Sequence, residues 1–400
     1  MTVVDLFAGA GGAALGIRAA MPGADHILVE WDADAAAILR AAKLGHVIEA
    51  DIHAAIHDLP HEPALLWASP PCQPYSRAGK RQGSADARDC WPITLKAIQS
   101  TRPELVVIEN VRGSPAEAWA LAIRSLGYAV AVWDLDAADF GVAQRRHRRF
   151  VVASRVGPVP DAPESTHSGA VLAAAKWGSI PTYWAEHGMD GPPTGASSAR
   201  WEVAAMRDGG DGLLRWRTVR DVLGLDAIAC ETNLSGRGIH ASNGRRVVGG
   251  GYNPPAGRAD LRPERDLTDE PSTTIQGPAG NATPHREEWR LDHPSPSVTT
   301  TEEKGTRASA SSGWTMHGGP DRASDAVWLA TGRRRLSPEE CAVLQNFPAD
   351  WPWHAARTKT ARYRAVGNAC PASLAEAVVR ALLRPAVMVR PQIALPWSSP

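Results

Sequence analysis

Three groups of residues in this 400-residue chain have types and spacings that can do chemistry. The first is Ser69-Pro70-Pro71-Cys72-Gln73-Pro74, which follows the apolar run Ala64-Leu65-Leu66-Trp67-Ala68. The run predicts a buried strand. Two prolines must end it, since neither donates to a ladder and each restrains the residue before it. Cys72 is thereby expected on a stiff turn at a strand's carboxyl end, the edge where open α/β sheets bind ligands. A thiolate there is a nucleophile. On this stretch alone, a buried structural cysteine is an equal reading. The second group is Glu109-Asn110-Val111, closing the apolar run Leu105 to Glu109 and placing a carboxylate for acid–base work one strand beyond Cys72. The bland alternative is a capping or ion-paired acid. The third is Gln144-Arg145-Arg146-His147-Arg148-Arg149, ahead of another apolar strand. Arginines two apart in an extended segment project to one side, so Arg146 and Arg148 can converge on one anion or carbonyl. A solvated basic face is the commoner fate of such a run.

Three further strand ends carry ligand-binding features. Asp5-Leu6-Phe7-Ala8-Gly9-Ala10-Gly11-Gly12 joins a strand to a helix. Glycines there allow close backbone approach, and the helix start offers free N–H groups. The spacing is neither a dinucleotide fingerprint nor a phosphate loop. Glu30-Trp31-Asp32 ends the second strand, where a carboxylate suits ribose hydroxyls and an indole suits a base. Asp51-Ile52 follows the third, where a carboxylate can accept from an adenine amino group. Together they predict a nucleoside pocket.

The elements that must position these residues alternate. Strands are expected at 3–6, 26–30, 47–48, 65–69, 105–109, 128–133 and 150–153. Helices are expected at 13–20, 33–43, 91–101 and 116–126. This order predicts an α/β fold with a doubly wound, mostly parallel sheet. From about 156 to 332 the chain is rich in Gly, Pro, Ser, Thr and Trp, which predicts an inserted, irregular, β-rich smaller domain. Residues 269–275 and 292–298 echo each other weakly within it. Helical order returns at Ser337-Pro338-Glu339-Glu340, a capping box with proline at the first helical position. A last amphipathic helix from Pro371 to Leu383 suits packing on the first domain. The expected organisation is therefore 1–155 and 333–385 as one domain, 156–332 as its insert and 386–400 as a tail.

Composition narrows the possibilities. Formal net charge is zero, so any polyanion site must come from local clustering. Only six of the 43 basic residues are lysines, which suits base-edge and phosphate recognition but equally a GC-rich genome. The five scattered cysteines include no CxxC pair, which argues against a disulfide framework or zinc ribbon. No metal site is expected. Neither a secretory leader nor a membrane span is expected, and a reducing cytoplasm fits a free Cys72.

The combined motifs resemble the cytosine-C5 DNA methyltransferases over residues 1 to about 154 and 333 to 384. The C-terminal part contributes Arg335-Leu336-Ser337, Gln345-Asn346-Phe347-Pro348 and Tyr363-Arg364-Ala365-Val366-Gly367-Asn368-Ala369. Ala143 and Ala50 are small loop departures, where proline and glycine are commoner. The resemblance implies an S-adenosylmethionine-dependent DNA (cytosine-5-)-methyltransferase that flips its base out of the duplex. Cys72 would attack C6, Glu109 would hold N3, and Arg146 and Arg148 would hold the base carbonyl and a phosphate. It implies cofactor contacts from Phe7, Ala8, Gly9, Gly11, Gly12, Glu30, Trp31, Asp51, Ile52, Pro71 and Asn368. DNA contacts would come from Gln73, Ser76, Arg77, Lys80 and Arg81 of a closing loop, from Gln144, and from Arg237, Arg245 and Arg246 of a target-recognition insert. Implied partners are double-stranded DNA and a cognate restriction endonuclease, with the protein a cytoplasmic monomer. The rival readings are an RNA cytosine methyltransferase and an inactive nucleic-acid-binding protein.

Overall fold

The structure is a computed structural model, described here for residues 1–71, 89–178, 182–188, 190–191, 212–223 and 337–384. Seven strands form one sheet: β1 (Thr2–Leu6), β2 (Asp25–Glu30), β3 (His46–Glu49), β4 (Leu65–Ala68), β5 (Leu105–Asn110), β6 (Ala129–Asp136) and β7 (His147–Ser154). Their order is β3-β2-β1-β4-β5-β7-β6. Neighbours run parallel from β3 across to β5, and β7 is antiparallel to both β5 and β6. The chain winds outward from β1 to β3, then crosses back to β4. The switch point therefore lies between the carboxyl ends of β1 and β4, where such sheets bind ligands.

Period-two alternation divides the core. Leu65 and Trp67 of β4 join Val3, Val107, Phe150 and Val152 on one face. Leu66 and Ala68 join Val4, Val106, Ile108, Val151 and Ala153 on the other. Every residue of β4 and β5 is buried, as expected of strands covered on both faces. Helices α1 (Gly12–Ala20) and α11 (Ala372–Leu382) pack on the first face. Helices α4 (Trp91–Thr101) and α5 (Ala116–Arg124) pack on the second, joined by a Trp91–Trp119 stack with centroids 4.8 Å apart. A third cluster sets α1 and α2 (Ala33–Ala42) against Phe347, Trp351, Trp353 and Tyr363 of the returning segment.

That return is tightly tied. Trp351 Nε1 donates to the Ala10 carbonyl at 3.2 Å. Arg357 and Arg364 pair with Asp34 and Asp32 at 2.9 and 2.7 Å. The capping box forms as expected at α9 (Pro338–Val343), and α10 (Lys359–Asn368) leads to α11.

The described part of the insert differs from the β-rich expectation. It contains α6 (Gly169–Trp177), α7 (Thr182–Glu186) and α8 (Val219–Leu223), with β8 (His167–Ser168) and β9 (Leu214–Arg215) as a two-residue parallel pair. Leu172, Tyr183 and Trp184 give it a small core of its own. The signal for these helices is short and aromatic rather than periodic. The echo at 269–275 and 292–298 lies outside the described residues, as do Arg237, Arg245 and Arg246. Among the described residues no helix is long and apolar enough to cross a membrane.

Candidate active site

The glycine loop after β1 forms one wall of the switch-point crevice. Its backbone turns sharply, with positive φ at Phe7 (61°), Gly9 (56°) and Gly11 (88°). The three glycines divide by role. A methyl group on Gly9 would meet nothing within 4 Å, so this position borders open space. One on Gly11 would strike Leu44 and Leu39 at 2.7 and 2.9 Å, and one on Gly12 would strike the Cys370 carbonyl at 2.1 Å. Gly11 and Gly12 are thus required as glycines by packing. Ala8 is likewise buried, with its N–H donating to the Val29 carbonyl.

Glu30 anchors the loop. Its Oε2 accepts from the Gly9 N–H at 2.7 Å and its Oε1 from the Asp32 N–H at 2.8 Å. Burial pushes this carboxyl upward, opposed by backbone donors from Asp32, Gly9 and Trp31. Trp31 beside it is 71% exposed, unusual for a residue with so much apolar surface to hide. Asp51 is exposed and caps α3 (Ile52–Ala55), Oδ1 accepting from His53 N–H at 2.8 Å. Ile52 is 4% exposed and its side chain belongs to the core. Asn368 is exposed at the end of α10, and Pro71 is half-buried at the end of the proline turn. Behind the loop lies Asp5, fully buried, with neither carboxylate oxygen hydrogen-bonded. Burial and then the Glu30 charge push it well above the usual carboxylate range. An open glycine, an anchored acid, a bare indole and an exposed carboxylate on three successive strand ends fit a nucleoside cofactor.

The proline turn after β4 faces this loop. Ser69 N–H donates to the Leu6 carbonyl at 3.1 Å, extending the β1–β4 pairing into the turn. Trp67 Nε1 donates to Ser69 Oγ at 3.0 Å. The Asn110 side chain, at the end of β5, donates from Nδ2 to the Pro70 carbonyl at 3.0 Å. Its Oδ1 accepts from Val111 N–H at 2.9 Å. Cys72, Gln73, Ser76, Arg77, Lys80 and Arg81 lie outside the described residues.

Beside the turn, Glu109 Oε1 and Arg148 Nε form an ion pair at 2.6 Å, with side chains 8% and 12% exposed. Gln144 to Arg146 lead into β7 and His147 to Arg149 are its first residues, and the side chains alternate as in an extended chain. Arg149 turns outward to Asp134 and Glu117. Arg145 and His147 turn to Asp136. Arg146 and Arg148 do share a face but take different partners. Arg146 is 1% exposed and its Nη2 donates to the Gly367 carbonyl at 3.0 Å, beside Asn368. It braces the returning segment and is too buried to meet a phosphate, which corrects its expected convergence with Arg148. Gln144 is also corrected as a DNA contact: it is 0% exposed.

Asp136 was not legible from sequence. Its Oδ1 accepts from the Arg146 N–H at 2.9 Å, while Oδ2 takes the Arg145 guanidinium, so it fixes the entry to β7. Nothing in a lone acid at a strand's end announces this. Cys370, on the return, sits near Glu109, Arg146, Arg148 and Asp5. Burial pushes its thiol well up, with Glu109 adding to the shift. Burial and the charges of Asp51 and Asp89 push the Cys90 thiol up to about 11.

A mostly parallel sheet of this order, with a glycine loop, two carboxylates and an exposed indole at the ends of β1 to β3 and an acid–arginine pair beside a proline turn, is an α/β fold of the doubly wound class. The chain belongs to the C-5 cytosine-specific DNA methylase family, whose profile matches residues 1–172 and 263–384. It is 38% identical over 159 residues to the Type II methyltransferase M.AplI of Arthrospira platensis, covering 38% of this chain and 45% of that protein. It is 35% identical over 217 residues to the Type II methyltransferase M.NaeI of Lentzea aerocolonigenes, covering 48% and 52%. Against the Type II methyltransferase M.AquIA of a Picosynechococcus species it is 33% identical over 190 residues, covering 41% and 76%. The chain thus spans about half the length of M.AplI and M.NaeI and three quarters of M.AquIA. The crystal structure of the Schizosaccharomyces pombe Dnmt2 methyltransferase shares the fold, with a TM-score of 0.53 at 17% identity, covering 96% of this chain and 98% of that one.

Proposed function

We propose that this protein transfers a methyl group from S-adenosylmethionine to C5 of a flipped cytosine in a specific double-stranded DNA sequence. The observation that carries this reading is the meeting of three features at one switch point: the open glycine loop after β1, the proline turn after β4, and the Glu109–Arg148 pair beside it. S-adenosylmethionine, when bound, supplies an electrophilic methyl group. Gly9, Glu30, Trp31, Asp51 and Asn368 would hold it. The Cys72 thiolate adds to C6, which turns C5 into the nucleophile that accepts the methyl group. Loss of the C5 proton and of Cys72 then restores the ring. Glu109 holds the proton at N3, and Arg148 holds Glu109 and the base carbonyl as charge develops. Burial raises the Cys90 and Cys370 thiols, which makes both poor nucleophiles, whereas Cys72 follows the proline turn at the switch point.

The insert at 156–332 acts as the target-recognition domain, with Arg237, Arg245 and Arg246 among its DNA contacts. Residues 1–155 and 333–385 form the catalytic domain. The relatives' Type II names support a restriction–modification role in a bacterial cytoplasm, with a cognate endonuclease as genetic partner and a monomer as the acting form. The test is labelled methyl transfer to duplex DNA and to tRNA, followed by bisulfite sequencing. A covalent adduct with 5-fluorocytosine DNA is expected from the wild type and not from Cys72→Ala. Methylated tRNA with unmethylated DNA, or an active Cys72→Ala variant, would refute the reading.

A further inference from the structure

The outward-facing side of the Arg145–Arg149 run meets the root of the insert at Trp216. The Trp216 ring lies under the Arg145 guanidinium, whose Cζ is 4.3 Å from the ring centroid. Its Nε1 donates to Asp139 Oδ1 at 2.9 Å, in the 3-10 turn Ala137–Phe140 that joins β6 to β7. Its backbone N–H donates to the Ser168 carbonyl at 3.1 Å. Gly169 makes room for the indole, since a methyl group there would strike the ring at 2.8 Å. The indole is therefore held at one face by Arg145, at its N–H by Asp139 and at its six-membered ring by Gly169.

The contact leads directly to the proposed base pocket. Arg145 is held on its other side by Asp136 Oδ2 and by His147 Nε2 at 3.0 Å. The second oxygen of Asp136 receives the backbone N–H of Arg146. Two residues on, Arg148 holds Glu109 at 2.6 Å. A carboxylate gripped at both oxygens cannot shift at one without moving the other, so the pose of Arg145 over Trp216 fixes where β7 begins.

We propose that Trp216 is a positioning residue: through Arg145 and Asp136 it sets Arg146 and the start of the strand that presents Arg148. Seating of the insert and assembly of the base pocket are then one event. This rests on the methyltransferase reading, and its test is chosen to fail separately. Trp216→Leu removes the ring face and the indole N–H. Trp216→Phe keeps the face. Arg145→Met keeps bulk but removes the cation. Hydrogen–deuterium exchange on the full chain is the first readout. Amides 146–149 are expected to exchange at least tenfold faster in Trp216→Leu and Arg145→Met, with amides 3–6 of β1 unchanged. Unchanged exchange at 146–149 overturns the proposal whether or not the protein methylates DNA. The second readout is kinetic. Trp216→Leu is expected to lower kcat for methyl transfer at least tenfold, with the KM for DNA and the Kd for S-adenosylmethionine within threefold of wild type. Trp216→Phe restores most of kcat, and the Leu and Met substitutions combined cost no more than either alone. A kcat within threefold of wild type, or equal losses in kcat and in both affinities, overturns it. Should the leucine variant not fold, Arg145→Met is read by the same criteria. A wild type that transfers no methyl group to DNA refutes the function and leaves the exchange result to decide the inference.

Discussion

The side chain of Asn110 donates to the backbone carbonyl of Pro70 across 3.0 Å, joining residues 40 positions apart. The bond ties the end of β5, where Glu109 stands, to the turn that leads into Cys72. Pro71 holds the preceding Pro70 extended, which leaves its carbonyl little freedom to turn to another donor. Both groups are buried, so losing the amide leaves an acceptor without a partner, at a cost of about 1–3 kcal/mol. Asn110→Ala is expected to lower unfolding free energy by that amount in urea titration. Its single-turnover methyl transfer should slow about tenfold, with cofactor affinity unchanged. An equal loss of cofactor binding would show that the amide supports the whole crevice rather than the turn.

The Glu109–Arg148 pair predicts unequal effects of two conservative changes. Glu109→Gln keeps shape and hydrogen bonding but removes the charge that faces Arg148. General acid–base groups contribute roughly 10²–10⁴-fold, so turnover should fall within that range. Arg148→Lys keeps the charge but loses the planar fork. It should retain more activity and bind DNA as wild type in fluorescence anisotropy. If Glu109→Gln turns over at wild-type rate, the carboxylate is an ion-pair partner and no more.

The sheet was legible in advance because continuous apolar runs at β4 and β5 and glycine or proline at their ends leave few alternatives. The strand ends that carry Gly9, Glu30 and Asp51 were legible for the same reason: these residues sit where strands stop. The division of labour among the glycines was not. Gly11 and Gly12 are committed to Leu39, Leu44 and Cys370, contacts from distant parts of the chain that no local spacing reveals. Arg146 and Gln144 misled in the same way. A charge run states that side chains alternate, but which side closes over depends on the returning segment that brings Gly367 to Arg146. Short helices of the insert, such as α7, are too brief to express a period.

The glycines give a paired prediction. Gly12→Ala drives a methyl group to 2.1 Å from the Cys370 carbonyl, a backbone atom that cannot rotate away. Forcing α1 off α11 should cost about 1–3 kcal/mol or more. Gly9→Ala meets no atom and costs only the strain of a positive φ, roughly 1 kcal/mol. Its Cβ instead enters the crevice. Gly12→Ala is therefore expected to lower the melting temperature most, and Gly9→Ala to weaken cofactor binding most in calorimetry. The reverse pattern would place the ligand against Gly12.

His26 sets an acid limit on stability. It lies on β2 with 4% of its surface exposed, and neither ring nitrogen has a hydrogen-bond partner. Space around it is tight, since a methyl group on Gly45 would reach its Cβ at 2.7 Å. Burial lowers its pKa, the Arg18 charge lowers it further, and Asp25 partly offsets both. The folded chain thus holds the imidazole neutral at a pH where the unfolded chain takes up a proton. Below the unfolded value of about 6.5 the unfolded state binds more protons, so stability is complete above that pH and declines as pH falls through it. One group can contribute a slope of at most about 1.4 kcal/mol per pH unit. Urea unfolding at pH 7.5, 6.5 and 5.5 should show His26→Leu losing less stability on acidification than wild type. Parallel pH profiles for the two proteins would mean that the imidazole gains its proton without cost, by a rearrangement that lets water reach β2.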